Sequence, residues 1–349
     1  MGRSLNFVVP GSLEQRTGGY IYDRWIIEGL RAVGWSVALH ELAGRFPNVD
    51  AEAIEAASDV VRDLSGGTLV IDGLALPAFD GLLENIGRSW IGLIHHPLAM
   101  ETGLSPSEVA AFAELESRLM RQASKLIVTS PMTRRNLAGF DIDPETVSVV
   151  TPGVEPASVA EGSGGDAPQA LLSVGSLTKR KGHLVLLSAL SKLTDLDWHL
   201  RLVGSAAWDP EHAREIKTAL DGLGLVSRVA LVGEQDDAGL NALYHQADLF
   251  VLASLHEGYG MVLSEALARG LPIISTTAGA IPETVPAVAG KLVAPGDVDA
   301  LADALREVLT NRAVYSDLKK GALHVRDGLV DWTEATRLFA LEIEMVRER

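Results

Sequence analysis

The chain has no cysteine. That excludes a disulfide framework and a thiolate metal centre, and it fits a reducing compartment. No apolar run approaches the roughly 20 residues needed to cross a bilayer. The opening MGRSLNFVVPGS has no signal-peptide core, and Asn6 breaks the N-myristoylation pattern. A soluble, cytoplasmic protein is the expectation. Basic residues are in deficit, with 30 Lys and Arg against 46 Asp and Glu. Both halves share the imbalance: 12 against 19 over residues 1–153, and 18 against 27 over the rest. Nucleic acid is thereby excluded as a partner, since its backbone demands a basic footprint. Any membrane contact would be peripheral and not purely electrostatic; Arg118, Arg121, Lys125, Arg134 and Arg135 would carry it, although a solvated face is the simpler reading. Three motifs are also missing. There is no G-x-G-x-x-G after a strand, no G-x-x-x-x-G-K-[ST] and no G-x-S-x-G. Nicotinamide chemistry, a P-loop and a nucleophile elbow lose their support.

What is present is core material. Hydrophobic residues make up 47% of 349, with a mean hydropathy of +0.18, enough for two domains of ordinary size. Apolar runs of strand length alternate with helical segments, the pattern of doubly wound α/β domains. In the first half the strands are Leu5–Val9, Trp35–His40, Thr68–Ile71, Ile91–Ile94, Lys125–Thr129 and Val147–Val150. Helices are predicted over Tyr20–Val33, Pro77–Ile86 and Ser107–Arg121, with Ser130-Pro131 as a further helix start. A Pro-, Gly- and Ser-rich stretch, Pro152–Gln169, reads as a linker. The alternation then restarts, with strands at Leu171–Val174, Trp198–Val203, Arg228–Val232, Asp248–Leu252, Leu271–Ile274 and Lys291–Val293. The predicted domains are 1–153, joined by a terminal helix at about 331–349, and 154–330. Two such halves imply a cleft faced by strand carboxyl ends.

The most informative stretch runs from Leu249 to Val285. A buried-strand run leads into His256-Glu257-Gly258-Tyr259-Gly260, then a helix from Met261 to Arg269. The first amides of that helix, near Met261 and Val262, favour an anion. Glu257 and Glu265 bracket the loop as acceptors, which suits a ligand with both phosphates and hydroxyls. At Lys179-Arg180-Lys181-Gly182 three cations follow a strand and precede a helix; in so acidic a chain, phosphate binding is favoured over a solvated turn. Gly18-Gly19 reads equally as a flexible turn or as a close approach to phosphate or sugar. His95 and His96 follow a strand and lack partners at metal-ligand spacing, so hydrogen bonding to substrate is preferred to metal binding. Three D-x-D tripeptides, at Asp141, Asp195 and Asp297, sit in loop-like contexts and are read as coincidence.

Together these segments resemble glycosyltransferase family 4, retaining enzymes of the GT-B fold. Glu257 and Glu265, with seven residues between them, match E-G-F/Y-G-x-x-x-x-E-A-x-A-x-G-x-P. Gly18-Gly19, Arg180-Lys181-Gly182, Tyr244 with Ala247-Asp248, Pro282-Glu283 and Gly290–Val293 match further. The second half matches over nearly its whole length and the first at scattered points. Ser176 stands where many members carry Arg. The resemblance implies two Rossmann-like domains across a cleft, the C-terminal helix crossing back to the first. It implies a metal-independent hexosyltransferase with no cofactor beyond its substrate, a nucleoside-diphosphate sugar. The acceptor, whether glycan, lipid or small molecule, is left open. By the same resemblance Glu265 would hold the ribose and Glu257 the transferred sugar. The amides of Gly258, Tyr259, Gly260, Met261 and Val262 would hold sugar and diphosphate, and Arg180 and Lys181 would neutralise the diphosphate as it leaves. Gly18 and Gly19 would let the first domain approach, Gly233 and Glu234 would lie by the base, and His96, with His95 as fallback, would stand at the reaction centre. Two other readings remain: an epimerase or phosphorylase on the same fold, and a non-catalytic sugar-nucleotide-binding protein.

Overall fold

The computed structural model describes residues 3–64, 66–165 and 169–347. It forms two compact units, 1–153 with 330–349, and 154–329. Asp166–Pro168 of the linker and Glu348–Arg349 of the terminal helix lie outside the described residues.

In the first unit six strands run parallel: β1 (Ser4–Pro10), β2 (Ser36–Leu42), β3 (Thr68–Asp72), β4 (Trp90–Ile94), β5 (Lys125–Val128) and β6 (Val147–Val149). Their order is β2-β1-β3-β4-β5-β6. β3 and β4 are buried along their whole length, as their unbroken apolar runs require in a sheet covered on both faces. One face packs Val8, Leu69, Ile71 and Val128 against α2 (Ala51–Asp63) and α3 (Pro106–Met120). On the other, α1 (Gly18–Ala32) and the C-terminal helix, Trp332–Arg347, pack together, and Phe7 stacks on Phe339 with ring centroids 6.4 Å apart. Short α4 (Pro131–Asn136) starts at Ser130, whose hydroxyl accepts from the Thr133 amide.

Two segments depart from the sequence reading. Pro77–Ile86 is not one helix but two single turns, Leu76–Phe79 and Leu83–Asn85, parted by extended Asp80 and by Gly81 at φ +75°. The pattern there was apolar without being helical. Conversely, α2 buries only Ala53, Ala57 and Val60. Its signals were present in the sequence: an amphipathic spacing, and Asp50, which caps the helix through the Ala53 amide.

The second unit repeats the plan with β7 (Ala170–Val174), β8 (His199–Val203), β9 (Val229–Gly233), β10 (Leu249–Leu252), β11 (Ile273–Thr276) and β12 (Gly290–Val293), again all parallel. The order is β12-β11-β10-β7-β8-β9. The connecting helices are α5 (His183–Ser191), α6 (Pro210–Gly222), α7 (Asp237–His245), α8 (Met261–Ala268), α9 (Ile281–Thr284), α10 (Val298–Thr310) and α11 (Arg312–Arg326). Successive residues of β10 serve opposite faces: Leu249 and Val251 join the core under α5, α6 and α10, while Phe250 and Leu252 join that under α7, α8 and α11. Like α2, α11 is amphipathic, burying Leu318 and Ala322, and was not among the predicted helices.

In each sheet the strand order reverses once, between β1 and β3 and between β7 and β10. Connections leave such a point toward opposite faces, and the crevice outside the strand carboxyl ends is where open α/β sheets bind ligands. Phe339, fully buried on β1, tests the first unit's dependence on its C-terminal helix. Phe339→Ala should cost roughly 3–5 kcal/mol, read as a lowered midpoint in guanidinium unfolding. An unchanged midpoint would refute the packing account.

Candidate active site

The second unit's switch point is where the basic turn and the Glu257 loop meet. β7 runs through Gly175 into a single turn, Lys179–Lys181, ended by Gly182. β10 runs into Ala253–Gly260 and then α8. Gly182 adopts φ +66°, and a Cβ there would lie 1.9 Å from the Ala253 carbonyl oxygen, so only glycine lets the two segments touch. The Leu255 amide then donates to the Arg180 carbonyl at 2.7 Å. Lys181 Nζ and Ser254 Oγ each donate to Glu257 Oε1 at 2.6 Å. Arg180 Nη1 donates to the His256 carbonyl at 3.0 Å and reaches Glu257 Oε2 at 3.4 Å. The Glu257 side chain is only 6% exposed. Burial alone would raise its pKa, but Lys181, Arg180 and Ser254 outweigh burial and hold it at about 2. The Glu257 backbone is pinned as well, its carbonyl accepting from the Ala280 amide at 2.9 Å.

The next side chains extend this cluster. Gly260, in the left-handed region, starts α8 without any side-chain cap, so Met261 and Val262 form an open helix start. The Tyr259 carbonyl accepts from Thr284 Oγ1 at 2.8 Å and its hydroxyl from Ser264 Oγ at 3.2 Å, which fixes the Gly258–Gly260 turn against α9 and α8. One turn on, Glu265 Oε2 accepts from the Tyr244 hydroxyl at 2.9 Å, and the Arg269 guanidinium lies 4.4 Å over the Tyr244 ring. Burial raises the Glu265 pKa. Gly233 and Glu234 stand exposed at the end of β9. Arg180, Lys181 and Glu257 thus form one cluster, with Gly258–Val262 and Glu265 on the segment that follows. Sequence reasoning missed Ser254, which had no signal beyond standing three residues before Glu257.

The first unit carries a different cluster at its own switch point. His95 follows β4, and its Nε2 lies 3.1 Å from Asp23 Oδ1 on α1 and 3.2 Å from Asp72 Oδ2 at the end of β3. Asp23 is fully buried and Asp72 nearly so. Burial opposes charge on the His95 ring, yet the two carboxylates outweigh it and raise the ring's pKa. Burial and the neighbouring Asp72 raise that of Asp23. These residues are the one group among those described whose ligand atoms could surround a metal ion, lying within 4.8 Å of one another. Both carboxylates stand at hydrogen-bond distance from Nε2, so a proton on that nitrogen can bridge them as well. His96 Nε2 pairs instead with Glu101 Oε2 at 3.0 Å. Gly18 and Gly19 are the first residues of α1, and a Cβ on Gly19 would lie 3.2 Å from His95 Cδ2. Buried Glu116 of α3 accepts from the Leu98 and Ala99 amides at 2.6 and 3.0 Å, holding the loop after His96. Asp72 had a readable signal, an acid closing the apolar strand TLVID; Asp23 and Glu116, on helices, had none.

The D-x-D residues are structural. Asp141 pairs with Arg121 and Asp143 caps the turn at Glu145. Asp195 pairs with Arg306, Asp197 accepts from Gln169, Asp297 caps α10, and Asp299 pairs with Lys192. The basic residues weighed for membrane contact are also engaged: Arg118 with Asp80, Lys125 with Glu342, and Arg134 with the Pro144 carbonyl. No helix among the described residues is long and apolar enough to cross a membrane.

Two parallel Rossmann-like sheets, each with its polar cluster at a switch point, define a GT-B glycosyltransferase fold. Solved structures agree: a sucrose-phosphate synthase from Thermosynechococcus elongatus superposes with a TM-score of 0.86 over 99% of both chains at 21% identity. HepE of Anabaena, in complex with UDP-glucose, gives 0.79 over 98% of this chain and 99% of its own at 18% identity. Residues 168–311 match the family described as "Glycosyl transferases group 1". The second unit is therefore a group 1 glycosyl transferase domain. Among curated relatives, the MMP α-(1→4)-mannosyltransferase of Mycolicibacterium hassiacum is 29% identical over 78% of this chain and 70% of its own length. Two others are spanned over only 39% and 50% of theirs.

One buried group beside the site sets an acid limit. His183 opens α5 next to Lys181 and packs on His212, ring centroids 6.2 Å apart. Burial, then the charges of His212 and Lys181, lower its pKa to about 3. The unfolded chain binds this proton near pH 6.5 and the native state does not, so stability is full above 6.5 and falls from there toward 3. The loss from this group approaches about 1.4 kcal/mol per pH unit. His183→Phe should flatten that part of the curve in urea melts at pH 7 and pH 5; parallel pH dependence in both proteins would refute it.

Proposed function

We propose that this chain is a retaining, metal-independent hexosyltransferase that moves sugar from a nucleoside-diphosphate donor to an acceptor hydroxyl. The observation that carries the reading is the Lys181–Glu257–Arg180 cluster at the switch point of a group 1 glycosyl transferase domain. A mannosyltransferase among the relatives and a UDP-glucose complex among the similar structures support a hexose and put UDP first among the bases to test.

In this reading the bond between C1 and the β-phosphate oxygen breaks with its electron pair going to phosphate. The acceptor oxygen attacks the same face, and its proton passes to the departing phosphate. Lys181 and Arg180 stabilise the charge that grows on that leaving group, the interaction that contributes most when it is preorganised. Glu257 serves them as an ionised anchor, and its Oε2, with only the long Arg180 contact, keeps acceptor capacity for a sugar hydroxyl. The recorded hydrogen bond to the Glu265 carboxylate falls on Oε2, so Oε1 is left to accept from the ribose. The open start of α8 presents amides to diphosphate and sugar. Gly233 and Glu234 are assigned to the base. Of the two histidines, His95 is the better candidate for the sugar side, because buried partners fix it while His96 turns to Glu101.

Thermal-shift screening of UDP, GDP and ADP with their sugars should raise the midpoint for one base selectively. Lys181→Ala should lower kcat about 100- to 1000-fold, with far-UV circular dichroism and Lys181→Arg as folding controls; near-normal turnover would sink the role. Glu265→Ala should weaken nucleotide binding in calorimetry while the cluster at Glu257 stays intact. Transfer that persists undiminished after exhaustive chelation is the expected result for a metal-independent enzyme, and restoration only by added divalent ion would reverse it.

A further inference from the structure

The first unit's switch point holds a group that the second unit's chemistry does not use. Three elements contribute to it: Asp23 from α1, Asp72 from the end of β3, and His95 from the turn after β4. Both carboxylates converge on Nε2, at 3.1 and 3.2 Å. Asp72 is itself held by the Leu74 amide, which donates to Oδ1 at 2.6 Å. The His95 main chain is tied by Thr129 Oγ1, which donates to its carbonyl at 3.2 Å, and the Tyr22 ring lies edge-on to the imidazole at 5.3 Å. The ring is therefore fixed in position and in rotation.

The recorded hydrogen bonds of that ring all fall on Nε2, and the His95 side chain is 19% exposed. Nδ1 is thus the polar atom left to meet a ligand. The neighbouring titratable groups are accounted for: the Tyr20 hydroxyl donates to the Pro10 carbonyl, the Tyr22 hydroxyl to the Val150 carbonyl, and His96 pairs with Glu101. Asp23 and Asp72 are the charges that act on the ring. Two carboxylates withdrawn from water need a compensating cation, because an uncompensated buried charge is strongly destabilising. The imidazole is the group placed to supply it. Gly19 lets α1 start against the ring, since a Cβ there would press on Cδ2 at 3.2 Å and Nε2 at 3.4 Å.

We infer that Asp23 and Asp72 are positioning residues that clamp His95 through Nε2 and keep it an imidazolium, so that Nδ1–H is a standing hydrogen-bond donor to a sugar hydroxyl. The contact with sugar rests on the glycosyl-transfer reading above; the clamp does not. An imidazolium so held does not take a proton from the acceptor, which leaves deprotonation to the departing phosphate. It also makes the donor insensitive to pH across the physiological range, where an unclamped histidine would switch near 6.5.

The test reads the ring directly. Protein labelled with 15N in its imidazoles is followed by long-range 1H–15N spectra from pH 6 to 9, with His95→Gln assigning the resonance among nine histidines. Both His95 nitrogens should stay protonated through pH 8. In Asp72→Asn, and independently in Asp23→Asn should the first variant fail to fold, the ring should titrate near neutrality. A wild-type ring that is neutral at pH 7 to 8, with Nδ1 unprotonated, would overturn the inference, as would an unshifted titration in both folded variants. With an active donor and acceptor in hand, the same variants should lose about 30-fold in kcat between pH 6 and 8 beyond any wild-type change, with donor KM nearly constant. Failure of transfer in every protein would count against the enzymatic reading and leave the spectroscopic result standing.

Discussion

A carboxylate buried at the end of a parallel strand is the constraint around which the second unit is arranged. Glu257 sits where water is largely excluded, and it stays ionised only because Lys181, Arg180 and Ser254 come to it. Ser254 stands three residues away on the same loop, but the two cations lie some seventy-five residues upstream, so the turn that carries them must touch the β10 loop. Gly182 permits that contact, and the Leu255 to Arg180 hydrogen bond locks it. Removing one member would leave the others charged in a poorly solvated place, which costs more than the pair contributes when complete. Stability alone is a weak reason to build such a cluster. Preorganisation is a stronger one, since cations already held by Glu257 need no rearrangement when a phosphate acquires charge.

The first unit solves a related problem with the signs exchanged. There a single cation, His95, is held between two buried carboxylates, and again the site forms where the strand order reverses. Both clusters draw their members from elements that leave the sheet in opposite directions, β7 and β10 in one case and β1, β3 and β4 in the other. The topology opens the crevice, and charge pairing across it fixes the side chains that line it.

These arrangements were unequally legible in the sequence. Long apolar runs such as Trp90–Ile94 and Leu249–Leu252 announced the strands, because a sheet covered on both faces needs them. The Glu257–Glu265 spacing was readable because strand, loop and helix are contiguous. Ala51–Asp63 and Arg312–Arg326 went unread although their amphipathic spacing was there to read. The prolines and apolar residues of 77–86 suggested a helix that Asp80 and Gly81 interrupt. The His95 cluster was the hardest to see. Its residues come from a helix, a strand end and a loop, and no local pattern marks Asp23 as the partner of a histidine seventy-two positions away. Adjacent histidines also look alike in sequence; only burial and partners separate His95 from His96.

The distribution of charge ties the sites to selectivity. The chain is strongly acidic, at −16, so a polyanion approaching the surface at large meets repulsion. At the second unit's switch point Lys181 and Arg180 outnumber Glu257, which leaves a small positive excess within an otherwise negative molecule. So small an excess holds an anion weakly on charge alone. A ligand gains affinity there only by adding directed hydrogen bonds, from the amides of the open α8 start and to the carboxylate of Glu265. A bare phosphate satisfies part of that demand, whereas a nucleoside diphosphate carrying a sugar supplies both the anion and the hydroxyls. Discrimination then follows from geometry as well as attraction, and an acidic surface becomes compatible with an anionic substrate.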